Sequence, residues 1–170
     1  MSDSEEVFEV LSPVDGIMMP LELVPDPVFA RGMLGKGCAI SPTNGEVRSP
    51  ISGKVAVAFP TGHAIGVVGR DQAEVLVHIG LDTVELNGSA FRARLAVGED
   101  VSAGDLVIEA DLAQIEEAGF STVIPVVVTN TDEFDFDMAR PMGAIRAGEP
   151  MFTLRRRTPV DASLARQAAS

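Results

Sequence analysis

Apolar residues along the chain gather in short runs, many alternating with polar positions, and glycine or proline cuts off each run. A two-residue alternation is the period of a half-buried strand, and dense Gly/Pro punctuation belongs to an all-β domain with many turns. The pattern predicts strands over residues 8–11, 16–22, 39–41, 45–48, 53–58, 64–68, 74–79, 91–96, 106–110, 121–129, 139–145 and 151–155. Strands so short and numerous form a sandwich or a closed barrel. Helical spacing is scarce. One short helix is predicted where Asp111 can cap, Leu112 and Ile115 share a face, and Gly119 supplies a left-handed stop. A second helical turn is predicted over 27–31, after the stiff Pro25-Asp26-Pro27 segment. Asn44-Gly45 and Asn87-Gly88 tolerate positive φ at both positions, so each is expected to reverse the chain in a two-residue hairpin loop. Residues 1–8 are expected to be a short flexible N-terminus, 9–155 one domain, and 156–170 a disordered, polar tail.

Ser12-Pro13-Val14-Asp15-Gly16-Ile17 returns as Ser49-Pro50-Ile51-Ser52-Gly53-Lys54, which points to an internal duplication. Each copy sets a proline before an aliphatic residue and a glycine that can turn the chain into the next strand. Topology alone accounts for the repeat.

Composition narrows the picture. A chain of 170 residues is the length of one domain, and 46% hydrophobic against 22% charged residues is too apolar for disorder. Aromatic residues are 5%, with neither Trp nor Tyr, so the core is aliphatic and thin in section. The net charge is −12, and ahead of residue 155 nine basic residues face 24 acidic ones, a net of −15. Such a body repels phosphate backbones and anionic lipid, which argues against nucleic acid and membrane surfaces and for a basic protein partner. Cys38 stands alone, excluding an internal disulfide or a multi-cysteine metal site, and fits a reducing compartment. The acidic start lacks a signal-peptide pattern, and the longest apolar stretch, 123–128, is interrupted by Pro125. A soluble cytoplasmic protein is expected.

Several chemistries fall away on inspection. The chain has no GxxxxGK[ST] phosphate loop, no HExxH zinc helix and no GxSxG nucleophile elbow. What stands out is its two histidines, His63 in TGHAIGVVG and His78 in VLVHIGLDTVEL. A lone histidine on a strand is ordinarily packed or solvent-facing. Here the two-residue period turns Val75, Val77 and Ile79 inward and sets His78 outward beside Leu76. Around His63 the parity is ambiguous, and the small residues flanking it would let the strand carrying His78 approach closely. Two imidazoles meeting at a surface can bind a metal, perform acid/base work or relay a phosphoryl group. A catalytic zinc wants three protein ligands, and no carboxylate or cysteine lies at a recognised spacing from either histidine. Acid/base catalysis wants an oriented nucleophile or a raised-pKa carboxylate in a cleft, which the sequence does not display. Phosphoryl relay needs one neutral imidazole as nucleophile, its other nitrogen on a backbone acceptor, and donors for the phosphoryl oxygens. The two segments can supply that set.

The blocks SPVDGI, VPDPVFARGMLGKGCAI, SPISGKV, FPTGHAIGV, VLVHIGLDTVELNG and VIEADL, with the Pro-Val-Val run at Pro125, resemble the glucose-type enzyme IIA of the bacterial phosphoenolpyruvate-dependent sugar phosphotransferase system. The likeness spans residues of about 9 to 154. It implies an antiparallel β-sandwich of duplicated halves, the duplicated hybrid motif, and a cytoplasmic phosphocarrier with a phosphohistidine intermediate. By resemblance, His78 carries the phosphoryl group on Nε2, His63 donates its Nε2 proton to it, the Thr61 hydroxyl assists, and the Gly80 carbonyl holds Nδ1 of His78. Asp26 and Asp82 match the acidic residues around the family's site, and Phe29, Phe59 and Leu76 match its apolar rim. The implied partners are the phosphocarrier protein HPr as donor and a membrane sugar permease, IIB/IIC, as acceptor, with other regulatory protein targets. No cofactor is required, although zinc can bridge His63 and His78 where a partner adds a ligand, and the carrier is expected to be a monomer.

The chain departs from better-known members in three places. Only eight residues precede the likeness, so an amphipathic membrane-touching extension is not expected; Arg155, Arg156 and Arg157 are added; and Gly62 replaces an Asn often found before the first histidine. Two other groups share parts of the pattern. Zinc peptidases of similar topology need an Asp where Val67 stands and a His where Leu76 stands. Lipoyl and biotinyl carriers, suggested by SPxxGK and VGEDVSAGDLV, need a lysine in a DKA or MKM setting that Lys54 lacks.

Overall fold

The computed structural model describes residues 6–157. Its strands are β1 (Val7–Leu11), β2 (Gly16–Pro20), β3 (Lys36–Pro42), β4 (Glu46–Arg48), β5 (Gly53–Ala58), β6 (Ala64–Gly69), β7 (Glu74–His78), β8 (Phe91–Ala93), β9 (Asp100–Val101), β10 (Leu106–Ala110), β11 (Ile124–Val128), β12 (Phe134–Met138), β13 (Gly143–Ile145) and β14 (Pro150–Arg156). All pairings among them are antiparallel. An eight-stranded sheet runs β13-β2-β3-β11-β7-β6-β5-β9, and two three-stranded sheets, β1-β14-β12 and β4-β10-β8, complete the sandwich. The helices are short, as the spacing predicts: α1 (Pro27–Ala30) and α2 (Leu112–Glu117), the latter capped by the Asp111 carboxylate, which accepts from the Gln114 amide.

Alternation along the large sheet feeds two apolar clusters. Cys38 and Ile40 of β3, Val75 and Val77 of β7, and Ile124, Val126 and Val128 of β11 point into the main core. Ala39 and Val127, on the opposite face, pack with Leu21, Val24, Phe29 and Leu81 in a second, smaller cluster. The segment around α1 thus covers the outer face at mid-sheet. β11 lies beneath it and is buried throughout, which is why its sequence is an unbroken apolar run.

The repeat is written into the hydrogen bonds. Ser12 and Ser49 are both buried, and each hydroxyl donates to the carbonyl two residues on, Val14 and Ile51, at 2.7 Å. Ser12 donates its amide to Glu149 and accepts from Gly148; Ser49 donates to Asp105 and accepts from Gly104. The copies also bind each other, Leu11 to the Pro50 carbonyl and Arg48 to the Pro13 carbonyl. Gly16 and Gly53 hold equivalent places, where an added Cβ would lie 2.2 Å from the carbonyl oxygen of Ser41 or Val68.

Some expectations need correction. β9 and β12 were not anticipated: β9 is two residues long, and the aspartates of Phe-Asp-Phe-Asp-Met disguise a strand, being depleted in sheets. Asp135 is tolerated there because Arg155 and Arg157 both pair with it. The body also extends past both expected ends. Val7 and Phe8 belong to β1, Arg156 belongs to β14, and Arg157 donates its amide to Glu133. Arg156 reaches Glu133 at 3.0 Å and lies over the Phe134 ring, so the arginine run straps β12 to β14. The rest of the expected ends, 1–5 and 158–170, lies outside the described residues. The expected strand over 139–145 shrinks to β13. Asn44-Gly45 is not a hairpin loop: neither residue takes positive φ, and β3 and β4 belong to different sheets. Asn87 and Gly88 do take positive φ, 53° and 83°, but they close a 3-10 turn over Thr83–Leu86.

Candidate active site

β6 and β7 are neighbours in the large sheet, with Ala64 opposite His78, so the residue just before β6 meets the last residue of β7. His63 is that residue. Its carbonyl accepts from the Ile79 amide at 2.7 Å, and the two imidazoles meet edge to face with centroids 5.1 Å apart. The closely approaching strands expected from the small residues around His63 are present.

His78 Nδ1 lies 2.7 Å from the Gly80 carbonyl oxygen. A carbonyl oxygen only accepts, so Nδ1 carries the proton and Nε2 of the neutral ring keeps its lone pair. Thr61 Oγ1 is 2.5 Å from Nδ1 of His63, which is 4% exposed. Burial holds His78 below its ordinary pKa, against the opposing pull of the Gly80 hydrogen bond and of Asp26 and Asp82. His63 is lowered by burial and then by His78. Both rings are therefore neutral near pH 7.

Phe59 stacks on His63 at 4.9 Å and is exposed. Phe29 differs: it is 4% exposed and tilts against His78 at 5.2 Å, so it backs the ring instead of lining the rim. Leu76 is half-buried against the second cluster. Asp26 is the cap of α1, accepting from the Val28 amide at 2.9 Å, and through that turn it helps place Phe29. Asp82 is exposed and takes a left-handed conformation, φ 60°, at the start of the 3-10 turn. Sequence reasoning passed over the exposed Val28 and Val84, each two residues after an acidic site residue. It also passed over Thr83, a buried threonine in the same block as His78.

Chemically, the site offers one bare, neutral imidazole nitrogen on a rigid strand beside a second imidazole and a hydroxyl. Among the described residues no group of three or more His, Cys, Asp or Glu could hold a metal. Two imidazoles are two of the four ligands that a tetrahedral metal site takes.

Comparison with protein families matches residues 8–134 to the phosphoenolpyruvate-dependent sugar phosphotransferase system, EIIA 1. The chain belongs to that family. As an EIIA protein it is a phosphotransferase component of the sugar phosphotransferase system. The glucose-specific EIIA component of Oceanobacillus iheyensis is 49% identical over 123 residues, covering 72% of this chain and 74% of that one. The beta-glucoside-specific EIIBCA component of Bacillus subtilis is 44% identical over 143 residues, and this EIIA chain spans 84% of itself but 24% of that longer protein. Among solved structures, glucose permease IIA from Mycoplasma capricolum matches with a TM-score of 0.84 at 35% identity, over 90% of this chain and 99% of that one. The antiparallel sandwich is thus the EIIA fold. No helix among the described residues is long and apolar enough to cross a membrane.

Proposed function

We propose that this EIIA protein accepts a phosphoryl group on Nε2 of His78 from phosphorylated HPr and passes it to a sugar-specific IIB domain in the cytoplasm. The observation that carries the reading is the Nδ1 hydrogen bond to the Gly80 carbonyl, which leaves Nε2 as a neutral nucleophile beside His63. As Nε2 bonds to phosphorus, the bond from phosphorus to the donor's leaving atom breaks and its electron pair departs with the donor. The Nδ1 proton stays, and the Gly80 carbonyl supports the charge that the ring gains. With the Thr61 hydroxyl donating to Nδ1 of His63, the His63 proton sits on Nε2 and serves the phosphoryl oxygens, where transition-state charge spreads. The fused EIIB and EIIC parts named in the Bacillus subtilis relative support an IIB/IIC acceptor. HPr is supported by family membership and by the acidic body that would meet a basic donor. Zinc enters this reading only at a partner interface, because the partner must complete the shell begun by His63 and His78.

His78→Ala should abolish the adduct formed with phosphorylated HPr. His63→Gln, which keeps a donor, should still load but pass its phosphoryl group on to a panel of IIB domains far more slowly. Intact-protein mass spectrometry at alkaline pH follows the first step and an IIB transfer assay the second. Phosphoryl mass retained by His78→Ala, or mapped to His63, overturns the assignment.

A further inference from the structure

Thr83 is fully buried, so its hydroxyl, withdrawn from water, needs an internal partner. Oγ1 donates to the Ile79 carbonyl at 2.5 Å. Among the described residues the 79–83 turn takes two side-chain hydrogen bonds, this one and that from His78 Nδ1; its other ties are backbone to backbone. Four of these bonds fall on two consecutive peptide planes. In the first, between Ile79 and Gly80, the carbonyl accepts from Thr83 and the amide donates to the Val123 carbonyl at 2.9 Å. In the second, between Gly80 and Leu81, the amide donates to the Ser121 carbonyl at 3.1 Å, and the carbonyl is the one that accepts from His78 Nδ1. The side of the turn that a Cβ on Gly80 would occupy is closed as well: with φ at +78°, that atom would lie 2.4 Å from Thr83 Cγ2 and 2.7 Å from the Ser121 oxygen.

We infer that Thr83 is a positioning residue for His78, its hydroxyl locking the peptide plane next to the one whose carbonyl selects the Nδ1-protonated ring. Without that bond the Ile79 carbonyl is buried and unsatisfied, the first plane can rotate, and the Gly80 carbonyl attached to it loses its aim. The fraction of rings with a free Nε2 then falls. The consequence for phosphoryl transfer rests on the reading of His78 as acceptor; the consequence for the ring does not.

The test uses the full chain, Thr83→Val, which keeps shape and removes the hydroxyl, and Thr83→Ser, which keeps the hydroxyl and loses the methyl. Nitrogen-15 NMR of the imidazoles reports tautomer and titration, and phosphoramidate serves as a small phosphoryl donor. The parent should show His78 protonated on Nδ1. Thr83→Val should show a mixture of tautomers, a His78 pKa lower than the parent's because the Gly80 hydrogen bond raises it, and phosphoramidate loading slower by about tenfold. Thr83→Ser should keep the parental ring spectrum and loading within about twofold even where its melting temperature drops. A parental ring in Thr83→Val, an altered ring in Thr83→Ser, or a parent with His78 protonated on Nε2 overturns the inference; the last holds even if Thr83→Val does not fold. A parent that shows the Nδ1 tautomer yet takes no phosphoryl group would instead strike the phosphocarrier reading.

Discussion

Burial sets the charge of the two imidazoles, and the charge sets what they can do. His63 and His78 are both held below the ordinary imidazole value of 6.5, with burial the leading cause in each. A base whose pKa is lower folded than unfolded binds fewer protons in the folded state between those two values, so stability rises with pH across that window. The contribution is complete above about 6.5 and is lost as pH falls from there toward the folded values. Urea midpoints measured from pH 7.5 to 5 should therefore decline, and the decline should flatten in the His63→Gln, His78→Gln double variant. An equal slope in both proteins would assign the loss to carboxylates elsewhere. The same burial keeps Nε2 of His78 unprotonated at neutral pH, which a nucleophile requires.

Among elements, the duplicated Ser-Pro turns decide the register of the sheets that carry the site. In each copy a buried serine closes the turn and a glycine lets a neighbouring strand's carbonyl come closer than any side chain allows. Gly53→Ala would set its Cβ 2.2 Å from the Val68 oxygen, a backbone atom of β6 that cannot swing away. The variant should lose about 2 kcal/mol or more, read by urea unfolding, since β5 must part from β6 or shift its register. Gly16→Ala should cost a similar amount, its Cβ meeting the Ser41 oxygen at the same distance. Losses of a few tenths would mean that these turns are slack and that the repeat does not set the register.

For the whole molecule, charge is the property that matters. Nine basic and 24 acidic residues ahead of residue 155 make a body that attracts a basic partner from a distance, and Asp26 and Asp82 bring that charge to the site, where both act on His78. Asp82→Lys should slow loading by phosphorylated HPr several-fold, and by clearly more than it alters phosphoramidate loading, since the small donor needs no docking and feels only the change at His78. Raising salt should slow the parent's loading by HPr toward the variant's rate. Stopped-flow rates indifferent to both would remove electrostatic steering from the account.

The sequence by itself determined the elements with strong local signals. Alternation marked β7, capping and spacing marked α2, and the written repeat marked the duplicated turns, because each depends on a few adjacent residues. It also singled out His63, His78, Thr61 and Gly80, since the likeness lies in contiguous blocks. Tertiary structure decided the rest. β12 exists because Arg155 and Arg157 offset Asp135 from a strand twenty residues away or more, a pairing no local pattern announces. Asn44-Gly45 crosses between sheets because β4 finds β10, not β3. Phe29 left the rim because the α1 segment folds down over Ala39 and Val127, and Thr83 bonds the Ile79 carbonyl in a turn whose next carbonyl meets His78, a link made by the fold of the turn and not by any local pattern. Local chemistry writes turns and periods, whereas which face a side chain meets is settled by strands far apart in the chain.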